Sequence, residues 1–116
     1  MSSPGNAPQA PTLCRGIAIE YRAFARAFFR NEKAAVLYLM ATCYYPHAGM
    51  TILFEEKAGK LQLMELPPTG FFPQLVTYYV ASWPSAGASG EMVNPPHEIT
   101  VVDGYGEHHV PVKPWQ

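Results

Sequence analysis

The stretch RGIAIEYRAFARAFFR, Arg15 to Arg30, decides the fold. Taken with a helical period, Ile17, Tyr21, Phe24 and Phe28 line one stripe, and Arg15, Arg22, Arg26 and Arg30 line the opposite one. Taken with a period of two, Ile17, Ile19, Tyr21, Ala23, Ala25, Ala27 and Phe29 share one face, and Glu20, Arg22, Arg26 and Arg30 share the other, at the cost of exposing Phe24 and Phe28. Alanine and arginine are good helix formers, so composition favours the helix. The surroundings favour the strand: the polar RNEK is a ready turn into AAVLYL, and no other part of the chain has a helical pattern. We carry the strand forward, with an α+β fold, an amphipathic helix laid on an antiparallel sheet, as the alternative.

Outward from this stretch, Pro and Gly punctuate the chain at short intervals in YYPHAGM, EKAGK, LPPTGFFP, WPSAGASG, NPPHE and VDGYGE. Between them lie AAVLYLMATCYY, TILFEE, LQLMEL, QLVTYYVASW, EITVV and EHHVPV. Short β-branched and aromatic runs between turn signals predict an all-β domain of the sandwich or barrel kind. The expected architecture is an immunoglobulin-like antiparallel β-sandwich over residues 14–116, preceded by a flexible tail over residues 1–13.

The layout ATCYYPHAGMTILFEE, then LPPTGFFPQLVTYYV, then EITVVDGYGEHHVPV resembles that of small bacterial immunoglobulin-like β-sandwich proteins. Those close on a hairpin of the form V-V-x-D-x-x-G-x-H-x-V-P-V, and the doubled His108-His109 is wider than that form requires. The resemblance covers about residues 34 to 112 and implies a sandwich fold with no activity and no catalytic residue to transfer.

With 116 residues the chain has the size of one domain, large enough to bury a core without disulfides or metal. Apolar residues make up 48% and charged residues only 15%, fewer than the roughly one quarter of an ordinary soluble domain. Self-association follows as an expectation. A net charge of -1 argues against nucleic acid as a partner. The opening MSSPGNAPQAPTL lacks the basic and apolar regions of a secretory signal, and no apolar run reaches the length of a membrane-spanning helix, so a cytoplasmic protein is expected. Cys14 and Cys43 occupy no metal-ligand spacing and are expected as free thiols, Cys43 as a small buried hydrophobe.

The hairpin VVDGYGEHHVPV, Val101 to Val112, is the stretch that most resembles a site. With Asp103 to Gly106 as the loop, Val102 faces Glu107, Val101 faces His108, Thr100 faces His109 and Ile99 faces Val110. Neighbouring residues on a strand point to opposite sides, so His108 and His109 cannot share one metal from regular strand geometry. His109 is expected in a cross-strand cluster with Glu98 and Glu107, and His108 at a rim. Asp103, the sole aspartate, is accounted for by the turn. A loop-end enzyme or metal site would have to draw on His47, His97 or His108. There is no G-x-S-x-G, no H-E-x-x-H and no phosphate loop, so no cofactor is expected.

The informative feature is the two-sided apolarity of the central strands. In AAVLYLMATCYY, Leu37, Leu39, Ala41 and Cys43 alternate with Tyr38, Met40, Thr42 and Tyr44; in QLVTYYVASW, Tyr79, Ala81 and Trp83 alternate with Tyr78, Val80 and Ser82. A second apolar face must be covered by something. The expected function is therefore a non-catalytic binding or assembly module whose interface is Tyr38, Met40, Tyr44, Tyr78 and Val80. Arg22, Arg26 and Arg30 form a row beside it that could face an anionic partner.

Overall fold

The computed structural model describes residues 10–28, 31–84, 91–93 and 96–114. Among them the chain is all-β, with nine strands and no helix: β1 (Thr12–Leu13), β2 (Ile17–Phe28), β3 (Asn31–Tyr45), β4 (Thr51–Lys57), β5 (Lys60–Leu66), β6 (Thr77–Trp83), β7 (Glu91–Val93), β8 (Glu98–Asp103) and β9 (Gly106–Pro114). The helical alternative for Arg15 to Arg30 is thus corrected. β2 pairs antiparallel with β3 from Glu20↔Thr42 to Ala27↔Ala35, and its Ala23 and Ala25 pack inward. Alanine loses its helical advantage here because the neighbouring strands reward a small side chain on the inner face.

Of the segment expected as a tail, residues 1–9 lie outside the described residues, and Thr12–Leu13 form a short strand against Glu65 and Met64 of β5. Arg30 also lies outside the described residues.

The strands hydrogen-bond into one curled sheet, a half-barrel, in the order β4-β5-β8-β9-β2-β3-β6, with β1 on β5 and β7 on β3. The all-β expectation holds; the architecture is a single curled sheet, and β9 is the reason it is continuous. Its first part pairs with β8, from Asp103↔Gly106 to Glu98↔Pro111, and its last residues run parallel to β2, from Ala23↔Val112 to Ala25↔Pro114. Pro111 stands at this change of partner, where a residue without an N–H costs the ladder least. The register of the β8–β9 hairpin is the one the sequence predicts, pair for pair.

The concave side is the core. Leu37, Leu39, Ala41, Cys43 and Tyr45 of β3 point into it with Ala23 of β2, Ala81 of β6, Leu61 and Leu63 of β5, Val101 of β8 and Val110 of β9. Across strands, large faces small: Ala23 lies beside Leu39, Tyr21 beside Ala41, and Cys43 beside Tyr79. A concave surface has less room than a convex one, and alanine and cysteine at alternate positions let the sheet bend.

The two ends of the sheet, β4 and β6, lie against each other around a cleft of about 370 Å³ lined by Ile52, Phe54, Val80 and Trp83. Tyr79 fastens that seam, its hydroxyl donating to the His47 carbonyl at 3.0 Å and accepting from the Met50 N–H at 3.1 Å. Among the described residues no helix is long and apolar enough to cross a membrane.

Candidate interaction face

The convex side of β2, β3 and β6 carries the other half of each alternation, and the register arranges it in rows. Arg26 lies beside Val36, Phe24 beside Tyr38, Arg22 beside Met40 and Ser82, and Glu20 beside Thr42 and Val80. Tyr44 lies beside Tyr78, with ring centroids 5.1 Å apart. The five residues expected as an interface, Tyr38, Met40, Tyr44, Tyr78 and Val80, therefore share one side of one sheet. Tyr38 is 41% exposed, Tyr78 53% and Val80 49%, while Met40 is half-buried between its neighbours. A cavity of about 450 Å³ opens among Phe24, Tyr38, Met40, Ser82, Trp83 and Pro84.

One further feature enlarges this face. Ile17 should point inward by simple alternation, yet it is exposed next to Tyr44. Between Ile17↔Tyr44 and Glu20↔Thr42, β2 spends three steps against two on β3, and Ala18 sits at φ 53. That is a β-bulge, and the extra residue turns Ile17 to the convex side. The loop before β6 also exposes the large apolar side chains Phe71, Leu75 and Val76. Its base is held by Ala48 N–H to Pro73 O at 3.1 Å and by the Phe72 ring over Gly49, whose φ of +87 and crowding against that ring require glycine.

Arg22 and Arg26 are exposed on the β2 side of the face, on either side of Phe24. Arg22 also borders a depression of about 360 Å³ with Tyr21, Phe24, Pro111 and Lys113.

The histidines are not gathered. His47 is half-buried in the turn after β3, its Nδ1 3.2 Å from the Ala48 carbonyl, and His97 is exposed before β8. His109 meets Glu98 at 3.0 Å on an exposed surface, as expected, whereas Glu107 pairs with Lys60 at 3.1 Å instead. Among the described residues no three His, Cys, Asp or Glu side chains come together as a metal would need.

His108 does have a partner that the turn assignment of Asp103 overlooks. Asp103 is only 2% exposed. Its Oδ1 accepts the Tyr105 N–H at 2.8 Å, its Oδ2 accepts the Tyr21 hydroxyl at 2.5 Å, and His108 Nε2 lies 2.9 Å from Oδ2 and 3.0 Å from Oδ1. A carboxylate only accepts, so Nε2 carries the hydrogen. The turn explains the first bond; the curl of the sheet, which brings β2 over the end of β8, supplies the second. The sequence signal was the coincidence of an inward Tyr21 with a lone aspartate closing an inward-facing strand.

Burial pushes the Tyr21 phenol above its ordinary value near 10, and the bond to Asp103 pushes it further. Burial, then the contact with Cys14, does the same to Tyr45. Both folded values are raised, so the stability these groups contribute is complete below pH 10 and is lost as pH rises beyond it. The denaturant midpoint should fall steeply above about pH 10, with a limiting slope of about 1.4 kcal/mol per pH unit for each tyrosine, added to the decline that the raised Cys43 thiol begins near pH 9. Tyr21→Phe should make that fall shallower; an equal fall would remove Tyr21 as a cause.

No known family model, curated protein or solved structure matches this chain.

Proposed function

We propose that this chain is a non-catalytic binding and assembly module that associates with a second copy of itself through the convex face of β2, β3 and β6. One observation carries the reading: strands whose concave side already fills the core present Ile17, Tyr38, Tyr44, Tyr78 and Val80 to solvent as one surface. Scattered apolar side chains need no explanation, but a contiguous face of this kind does. Tyrosine and methionine suit an interface because they give large contact area for few rotatable bonds.

The charges on β2 fit a second copy. A two-fold axis crossing β2 near Ala23 lays the strand antiparallel over itself, which sets Glu20 opposite Arg26 and Arg22 over the ring of Phe24. The face is thereby self-complementary, as an isologous interface must be.

Substituting Tyr38→Asp together with Tyr78→Asp places two carboxylates on this face without touching the core. Association should weaken at least about tenfold, the loss of roughly 1.4 kcal/mol expected when interface tyrosines are removed. Circular dichroism and the denaturant midpoint at low concentration should stay as in the parent chain. Retention of the parent's association by a folded double variant would refute the proposed face.

A further inference from the structure

The two cysteines lie outside the face just described and call for their own account. Both are free thiols with no exposed surface. Cys14 follows β1 and is fixed at both backbone groups, its N–H donating to Leu63 O at 2.8 Å and its carbonyl accepting from Gly104 N–H at 2.7 Å. Cys43 lies on the concave side of β3. Both sulfurs border Gly16, and the two thiols lie close enough to shift each other's ionisation. The Cys14 sulfur also meets the Tyr45 hydroxyl at 3.1 Å and the Gly16 N–H at 3.4 Å. Gly16 is what leaves space for the pair: a Cβ there would stand 2.6 Å from the Cys43 sulfur.

We infer that Cys14 and Cys43 are a reactive dithiol site, which a peroxide converts to an internal disulfide joining the N-terminal segment to β3. A solitary buried cysteine would be a small hydrophobe. Two buried sulfurs beside the same glycine, one of them facing a hydroxyl and an amide donor, are arranged for exchange chemistry. Cys14 is the nucleophile. The Cys43 thiol, then the Tyr45 hydroxyl and the Gly16 amide, stabilise its thiolate against the opposing effect of burial and hold it down to about 7. The same contact, with burial, pushes the Cys43 thiol up, so it remains protonated until the second step.

The chemistry balances with hydrogen peroxide as the oxidant. The Cys14 thiolate attacks one peroxide oxygen; an S–O bond forms, the O–O bond breaks, and the departing hydroxide takes a proton to become water. Cys43 then attacks the sulfenic sulfur; the S–S bond forms, the S–O bond breaks, and the second oxygen leaves as water with the Cys43 proton and one further proton from the sulfenic hydroxyl. The two thiols together lose two electrons and the peroxide gains them. Access comes through β1, which has only two residues in the sheet, so local opening of that short strand carries Cys14 to solvent and back.

The test uses the full reduced chain exposed to hydrogen peroxide, quenched with an alkylating agent under denaturing conditions, and read by intact mass and non-reducing peptide mapping. Both thiols should disappear together, the mass should fall by two hydrogens, the peptides holding Cys14 and Cys43 should be joined within one chain, and dithiothreitol should reverse the change. The oxidised chain should unfold at a higher denaturant concentration than the reduced one. In Cys43→Ser, Cys14 should stop at the sulfenic acid and be trapped by dimedone. Tyr45→Phe, which keeps the ring and removes one donor, should slow the reaction several-fold. Two alkylatable thiols after treatment, further oxidation of one cysteine without a link, or a link between two chains would each overturn the inference.

Discussion

Replacing Asp103 with alanine should lower the unfolding free energy by about 3 kcal/mol, among the largest effects available to a single substitution here. The carboxylate is buried and is shared by the Tyr21 hydroxyl, the Tyr105 amide and His108. Removing it strands the half-buried Tyr21 phenol that donates to it, frees the turn amide that sets the β8–β9 hairpin, and leaves a hole beside Val101 on the concave side. Each loss falls on a different element, β2, the turn and β9, so the effect should appear as a cooperative loss of stability, with the denaturant slope unchanged. Asp103→Asn keeps an acceptor for the turn amide and should retain about half of the difference. Tyr21→Phe removes only one partner and should cost about 1 kcal/mol. An Asp103→Ala chain as stable as its parent in urea would show that the network holds nothing together.

Gly16→Ala should destabilise by about 2 kcal/mol although it adds a single methyl group. That methyl would stand 2.6 Å from the Cys43 sulfur, 2.8 Å from the Cys43 Cβ and 3.3 Å from the Tyr45 ring. A Cβ is fixed to the backbone, so β3 itself would have to shift, in a core where Cys43 and Ala41 are wholly buried. Gly70→Ala is the matched control, since its new Cβ would meet only the Phe72 ring at 3.9 Å and should change stability by no more than about 0.5 kcal/mol. Adding Cys43→Ala to Gly16→Ala removes the sulfur but keeps the Cβ at 2.8 Å, so it should recover only part of the loss, giving a coupling of about 1 kcal/mol in the double-mutant cycle. Additive effects would mean that Gly16 matters for its backbone and not for the space it leaves.

The class of the fold was legible because turn chemistry and alternation agree. Asp103-Gly104 and Gly106 specified the last hairpin down to its residue pairs, and the alternation in β3 and β6 placed Tyr38, Met40, Tyr44, Tyr78 and Val80 together on one side. The curl of the sheet was not legible in the same way. It depends on β9 changing partners at Pro111 and on parallel contacts of two or three residues, Leu61↔Val101 and Ala23↔Val112 among them, which leave no period in the sequence. Ile17 was misplaced for a related reason: a bulge at Ala18, a residue with no special liking for positive φ, is imposed by the neighbouring strand and not by local propensity. Asp103 was legible as a turn former but not as a buried acceptor, because its second partner lies 82 positions away on β2. Long-range contacts of this kind are what a curled sheet creates and what local patterns omit.

The central claim is that the convex Tyr/Met face is covered by a second copy, and molar mass in solution tests it most directly. Size-exclusion chromatography with light scattering, run over a wide range of protein concentrations under reducing conditions, should give twice the chain mass of 12.8 kDa at the upper end and a decline toward one chain on dilution. A mass of one chain at every concentration would contradict the account.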